Sequence, residues 1–219
     1  MNNPVRNIFS LPKGMLLFLA IYTVSFPVFL IEHAAAHTFV LEQWLALSPV
    51  RVWNGEVWRM LTYSLVAPGV LGWAVNLFWF GTLVLILARD WSSMRFWLYC
   101  MVSAFVGAVP IVLFLPRADV PIFSAGAIIF ALLAAWDRLY HRERLIMIGF
   151  GEVSVRQAAI FIAVINGVIA FFSCGGWLGL LSMMCGGAAG WLYLWIGAKR
   201  VMSRSSRTVQ SERVARLEL

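Results

Sequence analysis

Few side chains in this sequence could carry acid–base or nucleophilic chemistry, and they are scattered. The three histidines are His33, His37 and His141. The first two follow the first apolar stretch, and the third falls in a charged loop. Cys100, Cys174 and Cys185 lie in or beside apolar stretches, share no metal-ligand spacing and read as buried free thiols. They define no disulfide framework. Ser124 and Ser182 stand at apolar segments, but a serine hydroxyl becomes a useful nucleophile only with a base beside it. Glu56 and Arg59 lie three apart and flank Trp58. Charges at membrane depth are costly unless paired or hydrogen-bonded within the protein. The trio is therefore expected to anchor a loop, with substrate recognition as the alternative. No cofactor or metal is expected.

The elements that must hold these residues are hydrophobic. Of 219 residues 62% are apolar and only 12% charged, with 11 Trp and 16 Phe, which excludes an ordinary soluble domain. A membrane-crossing helix needs about 20 apolar residues, and such runs recur at about 14–31, 71–88, 96–115, 122–136, 158–172 and 177–198. The expected fold is an all-α membrane protein of six transmembrane helices, a single domain over 1–198. The first run follows Arg6 and Lys13 as a signal peptide would, but it is longer than an h-region of about 7–15 residues, so it is expected to stay as the first helix. Residues 33–70 are rich in Trp and too broken to span, and should form a long interfacial first loop. Leu139 to Val155 reads as a polar, amphipathic connection, Ser173 to Gly176 as a tight turn, and 199–219 as a basic, solvated tail. The two halves show no internal repeat of the kind found in transporters.

The net charge of +7 does not point to nucleic acid, because the basic residues punctuate apolar runs. With six crossings, 14 of the 17 Lys and Arg fall on the side of the termini. Arg51, Arg59 and Arg117 alone fall on the other. Both termini are thus expected in the cytoplasm, with the chain in the cell (inner) membrane.

Local motifs then appear in a set order. Gly55-Glu56-Val57-Trp58-Arg59-Met60-Leu61-Thr62-Tyr63 in the first loop resembles the Glu-x-Trp-Arg signature of rhomboid intramembrane proteases. Asn76, within Val75-Asn76-Leu77-Phe78, resembles the asparagine of that family's second helix. Phe80-Gly81 and the block Arg89-Asp90-Trp91-Ser92-Ser93-Met94-Arg95-Phe96 look like its turn into the third. Ser124-Ala125-Gly126-Ala127 resembles Gly-x-Ser-Gly at the start of the fourth helix. Met183, Gly186 and Gly190 resemble the His-x-x-Gly-x-x-x-Gly of the sixth. The resemblance extends over about 14–198 and implies the rhomboid-like six-helix bundle. Gly186 and Gly190 form a small-xxx-small face suited to close packing against Gly126 and Ala127.

The resemblance also implies a serine on the fourth helix, a histidine base on the sixth, and a histidine and asparagine on the second that stabilise the oxyanion. Here Ala125 stands for the serine, Met183 for the base and Gly72 for the second-helix histidine; Asn76 alone is retained. Ser124 cannot substitute, because one residue along a helix turns a side chain by about 100°. Ser182 and Cys185 flank Met183 and fail likewise. Alanine and methionine together leave no buried orphan polar group.

The expected function is an inactive rhomboid-like protein that binds other integral membrane proteins within the lipid bilayer. It would act as a scaffold, a client-holding factor or a complex subunit, in contact through its second and fifth helices, where Trp73 and Trp79 could anchor a partner. An active serine protease with non-standard residues is the alternative. A transporter or channel fits less well, since the ionisable residues gather at helix ends.

Overall fold

A computed structural model describes residues 12–31, 40–66, 70–88, 90–119, 121–140, 144–147, 151–173 and 176–217. His33, His37, His141, Arg6, Arg89, Arg142 and Cys174 lie outside the described residues. The long helices are α1 (Lys13–Ile31), α5 (Val70–Leu87), α6 (Ser93–Phe114), α7 (Gly126–Tyr140), α8 (Val155–Ser173) and α9 (Trp177–Leu217). Between α1 and α5 the chain forms three short helices, α2 (Val40–Leu45), α3 (Pro49–Trp53) and α4 (Arg59–Thr62). Ser48 caps α3, its hydroxyl accepting from the Arg51 amide, and Pro49 opens the helix where no amide is needed.

Two helices, Ser93–Phe114 and Trp177–Gly197, are long and apolar enough to cross a membrane by length and composition among the described residues. Lys13–Val28, Gly72–Leu87 and Val155–Val168 are shorter apolar stretches. Pro27 in α1 and Pro110 in α6 sit inside helices, as membrane helices permit when neighbours satisfy the freed carbonyls.

The centre of the bundle is α7. It packs along α9 over much of its length and also touches α5, α6 and α8. Ten of its 15 residues are buried, among them Ile128, Leu132 and Ala135. An aromatic cluster joins α1, α5 and α6. Phe18 of α1 meets Phe80 of α5 edge-on at 5.1 Å and Phe96 of α6 at 5.3 Å.

Three features depart from the sequence reading. The fourth apolar run, expected as helix from about 122, is extended through Ile122–Ala125 and turns helical only at Gly126. Ile122 instead pairs antiparallel with Leu47, each amide donating to the other's carbonyl at 3.0 Å. The architecture is not purely helical. Between α7 and α8 the amphipathic stretch forms a hairpin, β1 (Arg144–Met147) against β2 (Gly151–Ser154), with Arg144 opposite Ser154 and Met147 opposite Gly151. Its apolar Leu145, Ile146 and Val153 suit extended backbone better than helix. The expected separate tail continues α9 as helix to Leu217, and no Gly or Pro after Gly197 interrupts it.

Candidate functional site

The positions singled out at the fourth and sixth helices meet where α7 begins against α9. The approach is fixed by backbone: the Ser124 amide donates to the Tyr63 carbonyl at 3.3 Å. The Ser124 hydroxyl turns back to accept from the Gly126 amide at 3.3 Å, so it serves as a cap for the helix start. The Ala125 carbonyl accepts from the Ile129 amide at 3.1 Å, the first turn of α7.

Ala125 and Met183 are both buried, at 3% and 5% exposure, so neither faces a water-filled cleft. Met183 lies on the backbone of Gly126. A Cβ at Gly126 would stand 2.7 Å from its Cγ and 2.9 Å from its Sδ. One turn on, a Cβ at Gly186 would meet the Ala127 Cβ at 2.6 Å and its Cα and carbonyl oxygen at 2.8 Å. A Cβ at Gly190 would meet the Ala131 Cβ at 2.8 Å and the Tyr99 side chain. Glycine is thus required on α9 because the α7 backbone passes at near-contact distance, the geometry that small-residue faces permit.

Behind this seam lie two buried hydroxyls, on Tyr63 and on Ser182. The fully buried Tyr63 hydroxyl donates to the Ala104 carbonyl of α6 at 3.1 Å. Burial pushes its pKa well above the ordinary tyrosine range, so it remains a protonated donor. The Ser182 hydroxyl is completely buried and lies against the Tyr63 hydroxyl, without a well-formed hydrogen bond among the described residues. Gly107 of α6 makes room for the Tyr63 hydroxyl and for the backbone of α9 at Ser182. A Cβ there would stand 3.1 Å from the Ser182 carbonyl oxygen and 3.2 Å from the Tyr63 hydroxyl oxygen. The spacing Ser103-Ala104…Gly107-Ala108 was the available signal, a second small-residue face. Asn166 of α8 was also missed: buried, it donates to the Ile162 carbonyl within its own helix at 2.9 Å.

The remaining positions are on α5. Gly72 is exposed and would have nothing within 4 Å of a Cβ. Asn76, one turn further, is half-buried. The structure therefore brings Met183 to the residue beside Ala125, while Gly72 stays apart. Trp73, expected to offer aromatic surface outward, is engaged inside the molecule. Its ring stacks on Phe26 at 5.0 Å and its Nε1 donates to the Tyr22 carbonyl at 3.3 Å.

The loop charges form a network. Arg59 is 2% exposed. Its Nε donates to a Glu56 carboxylate oxygen at 2.5 Å, one terminal nitrogen to the Ala46 carbonyl at 2.9 Å and the other to the Gln43 carbonyl. Three directions of a planar guanidinium thereby bind α2, the chain after it and the turn before α4, a role a lysine could not fill. Trp58 is exposed, its Nε1 donating to the Trp44 carbonyl at 3.3 Å. Ser48 donates to Asp119 at 2.8 Å, and Arg51 pairs with the same oxygen at 3.8 Å. Arg51, Arg59, Ser48 and Asp119 line a polar pocket of about 280 Å³. Among the described residues no cluster of His, Cys, Asp or Glu could hold a metal ion.

An apolar helical bundle whose glycines let helix backbones touch, with its charges tied at a loop, is the interior of an integral membrane protein. The family model for eukaryotic integral membrane proteins (DUF1751) matches residues 15–197, and the chain belongs to that family. The match begins inside α1 and ends in α9, so it takes in the whole bundle and both seams described above. No curated protein matches the sequence.

Proposed function

We propose that the chain is a rhomboid-like membrane protein without protease activity that works by binding other transmembrane proteins. It would serve as scaffold, client-holding factor or complex subunit, in a cell membrane with both termini in the cytoplasm. The observation that carries the reading is the packing of Met183 on Gly126 beside the buried Ala125. At the positions the rhomboid resemblance makes catalytic there is neither nucleophile nor base, and the space is filled by a thioether. Acyl transfer needs a hydroxyl, a proton acceptor and access for the scissile carbonyl. The nearest hydroxyl, on Ser124, is spent as a helix cap.

Binding is the capacity that such a bundle keeps. α5 and α8 each pack on α7 and present apolar side chains outward, Phe78 at 63% exposure and Ile160, Val164 and Val168 at 53–59%. Phe78 takes the place of Trp73 as the aromatic group available to a neighbouring helix.

The test is purification of the tagged full chain from its host in mild detergent. Photocrosslinkers would stand at Phe78, Val164 and, as an enclosed control, Leu132. A defined membrane protein crosslinked from the first two positions in near-equal amount supports the reading. Crosslinks to lipid alone, with the chain migrating singly in native gels, defeat it.

A further inference from the structure

The end of α7 meets α9 at a corner that the helix packing does not consume. The Arg138 guanidinium lies over the Trp191 ring, 5.9 Å from its centroid. Trp191 in turn stacks with Trp195, one turn along α9, at 6.5 Å and 14° between planes. Arg138 is exposed, and among the described residues no carboxylate pairs with it. Trp191, Leu192, Trp195 and Ile196 are 38–48% exposed. They form one apolar surface near the end of Trp177–Gly197, a stretch long and apolar enough to cross a membrane. Lys199 and Arg200 follow just after, beyond Ala198.

We propose that this corner binds the headgroup of an anionic phospholipid. The groups on this face match the molecule. Exposed aliphatic side chains suit an acyl chain, two indole rings suit the glycerol region that they prefer, and the guanidinium held over Trp191 suits the phosphate. Arginine suits that place because its planar fork pairs two phosphate oxygens at once while one face rests on an aromatic ring. The stack holds the side chain near its bound position before the lipid arrives, which lowers the ordering cost of binding. The excess of basic residues at the termini puts this corner on the side where anionic headgroups attract cations most strongly. This site does not depend on whether the chain cleaves or binds proteins.

The experiment uses the full chain in mild detergent, with dioleoyl phosphatidylglycerol or dioleoyl phosphatidylcholine added stepwise and bound lipid counted by native mass spectrometry. Wild type should bind the anionic lipid more tightly, and Arg138→Gln should lower that affinity about fivefold while leaving the zwitterionic lipid unchanged. Trp191→Leu should have the same sign, because it removes the ring that holds the arginine. Arg138→Lys should restore part of the preference. The tail is intact in every variant, so its charges cannot produce these differences. Arg138 is exposed, so thermal unfolding of Arg138→Gln should match wild type, and that variant decides the question even if Trp191→Leu folds poorly. An unchanged preference in Arg138→Gln would overturn the proposal. So would displacement of the lipid by equimolar glycerol phosphate, which would mark a simple anion site.

Discussion

Met183 of α9 rests on Gly126 of α7, its Cγ and Sδ within 2.9 Å of where a Cβ would stand. The contact joins the two helices at the point where α7 starts, and its chemistry is wholly apolar.

Substitutions along this seam should rank by what yields. In Gly126→Ala the obstacle is a flexible methionine, whereas in Gly186→Ala it is the backbone and Cβ of Ala127. Gly186→Ala should therefore cost more, of the order of 1–3 kcal/mol for overpacking. Thermal unfolding in detergent would measure both, and adding Met183→Ala should rescue Gly126→Ala alone. Equal losses in the two single variants would show that the seam can open.

The hydroxyl of Ser182 is buried against Tyr63 with no well-formed hydrogen bond among the described residues, and a buried hydroxyl left unsatisfied costs roughly 1–3 kcal/mol. Ser182→Ala should leave stability unchanged or raise it by about 1 kcal/mol. A loss of that size would mean that the hydroxyl is bonded in the membrane, most simply to Tyr63.

Much of this arrangement was legible in the residues, and the limits have physical causes. Apolar content and runs gave the membrane class directly, because the bilayer imposes both length and composition. The glycines of α9 stood out by spacing alone. The start of α7 did not, since Ile122 and Phe123 are as apolar as the helix that follows and only tertiary pairing with Leu47 keeps the segment extended. Apolar runs cannot by themselves separate a buried strand from a helix. Trp73 misled for a related reason: an indole that could meet a partner is the same one that stacks on Phe26. Asp119 follows the third apolar run, and nothing local announced that it would hold Ser48 and Arg51, some 70 residues away.

Glu56→Ala and Arg59→Ala should both lower stability, and Arg59→Ala by more. Losing Arg59 orphans the Glu56 carboxylate and the carbonyls of Ala46 and Gln43 together. A fully buried pair costs about 3–5 kcal/mol to break, and this one should cost less because the Glu56 side chain is a third exposed. Arg59→Lys should recover less than half, because one ammonium cannot reach three acceptors along a plane. Unfolding temperatures unchanged in all three variants would show that the loop is held by other contacts.

Orientation is testable with single cysteines. A membrane-impermeant maleimide applied to intact cells should label Asp119→Cys and miss Ser205→Cys, following the bias of basic residues toward the termini. The opposite pattern would reverse the molecule in the bilayer and remove the rhomboid-like reading with it.

Serine-directed covalent probes should leave the chain unlabelled, and transmembrane test substrates should remain whole after incubation in proteoliposomes. Both expectations follow from Ala125 and Met183. Labelling of Ser124 or Ser182 that disappears on mutation to alanine would return protease activity to consideration.

The shortness of α7 has a consequence for how the chain is made. Its 15 residues extend about 22 Å, well under the roughly 30 Å of a hydrocarbon core, and Asp137 and Arg138 lie in its last turn. Leaving a ribosome by itself, such a segment has little reason to settle in lipid. Its extended lead-in also has no edge to join until the first loop has folded on the far side. Insertion of this helix is then a late, cooperative event that waits for α6 behind it and α9 after it. Biogenesis is the stage at which glycine substitutions in the seam should do the most harm, leaving a chain whose central helix has no place to go and which the cell's quality control removes before any partner is met.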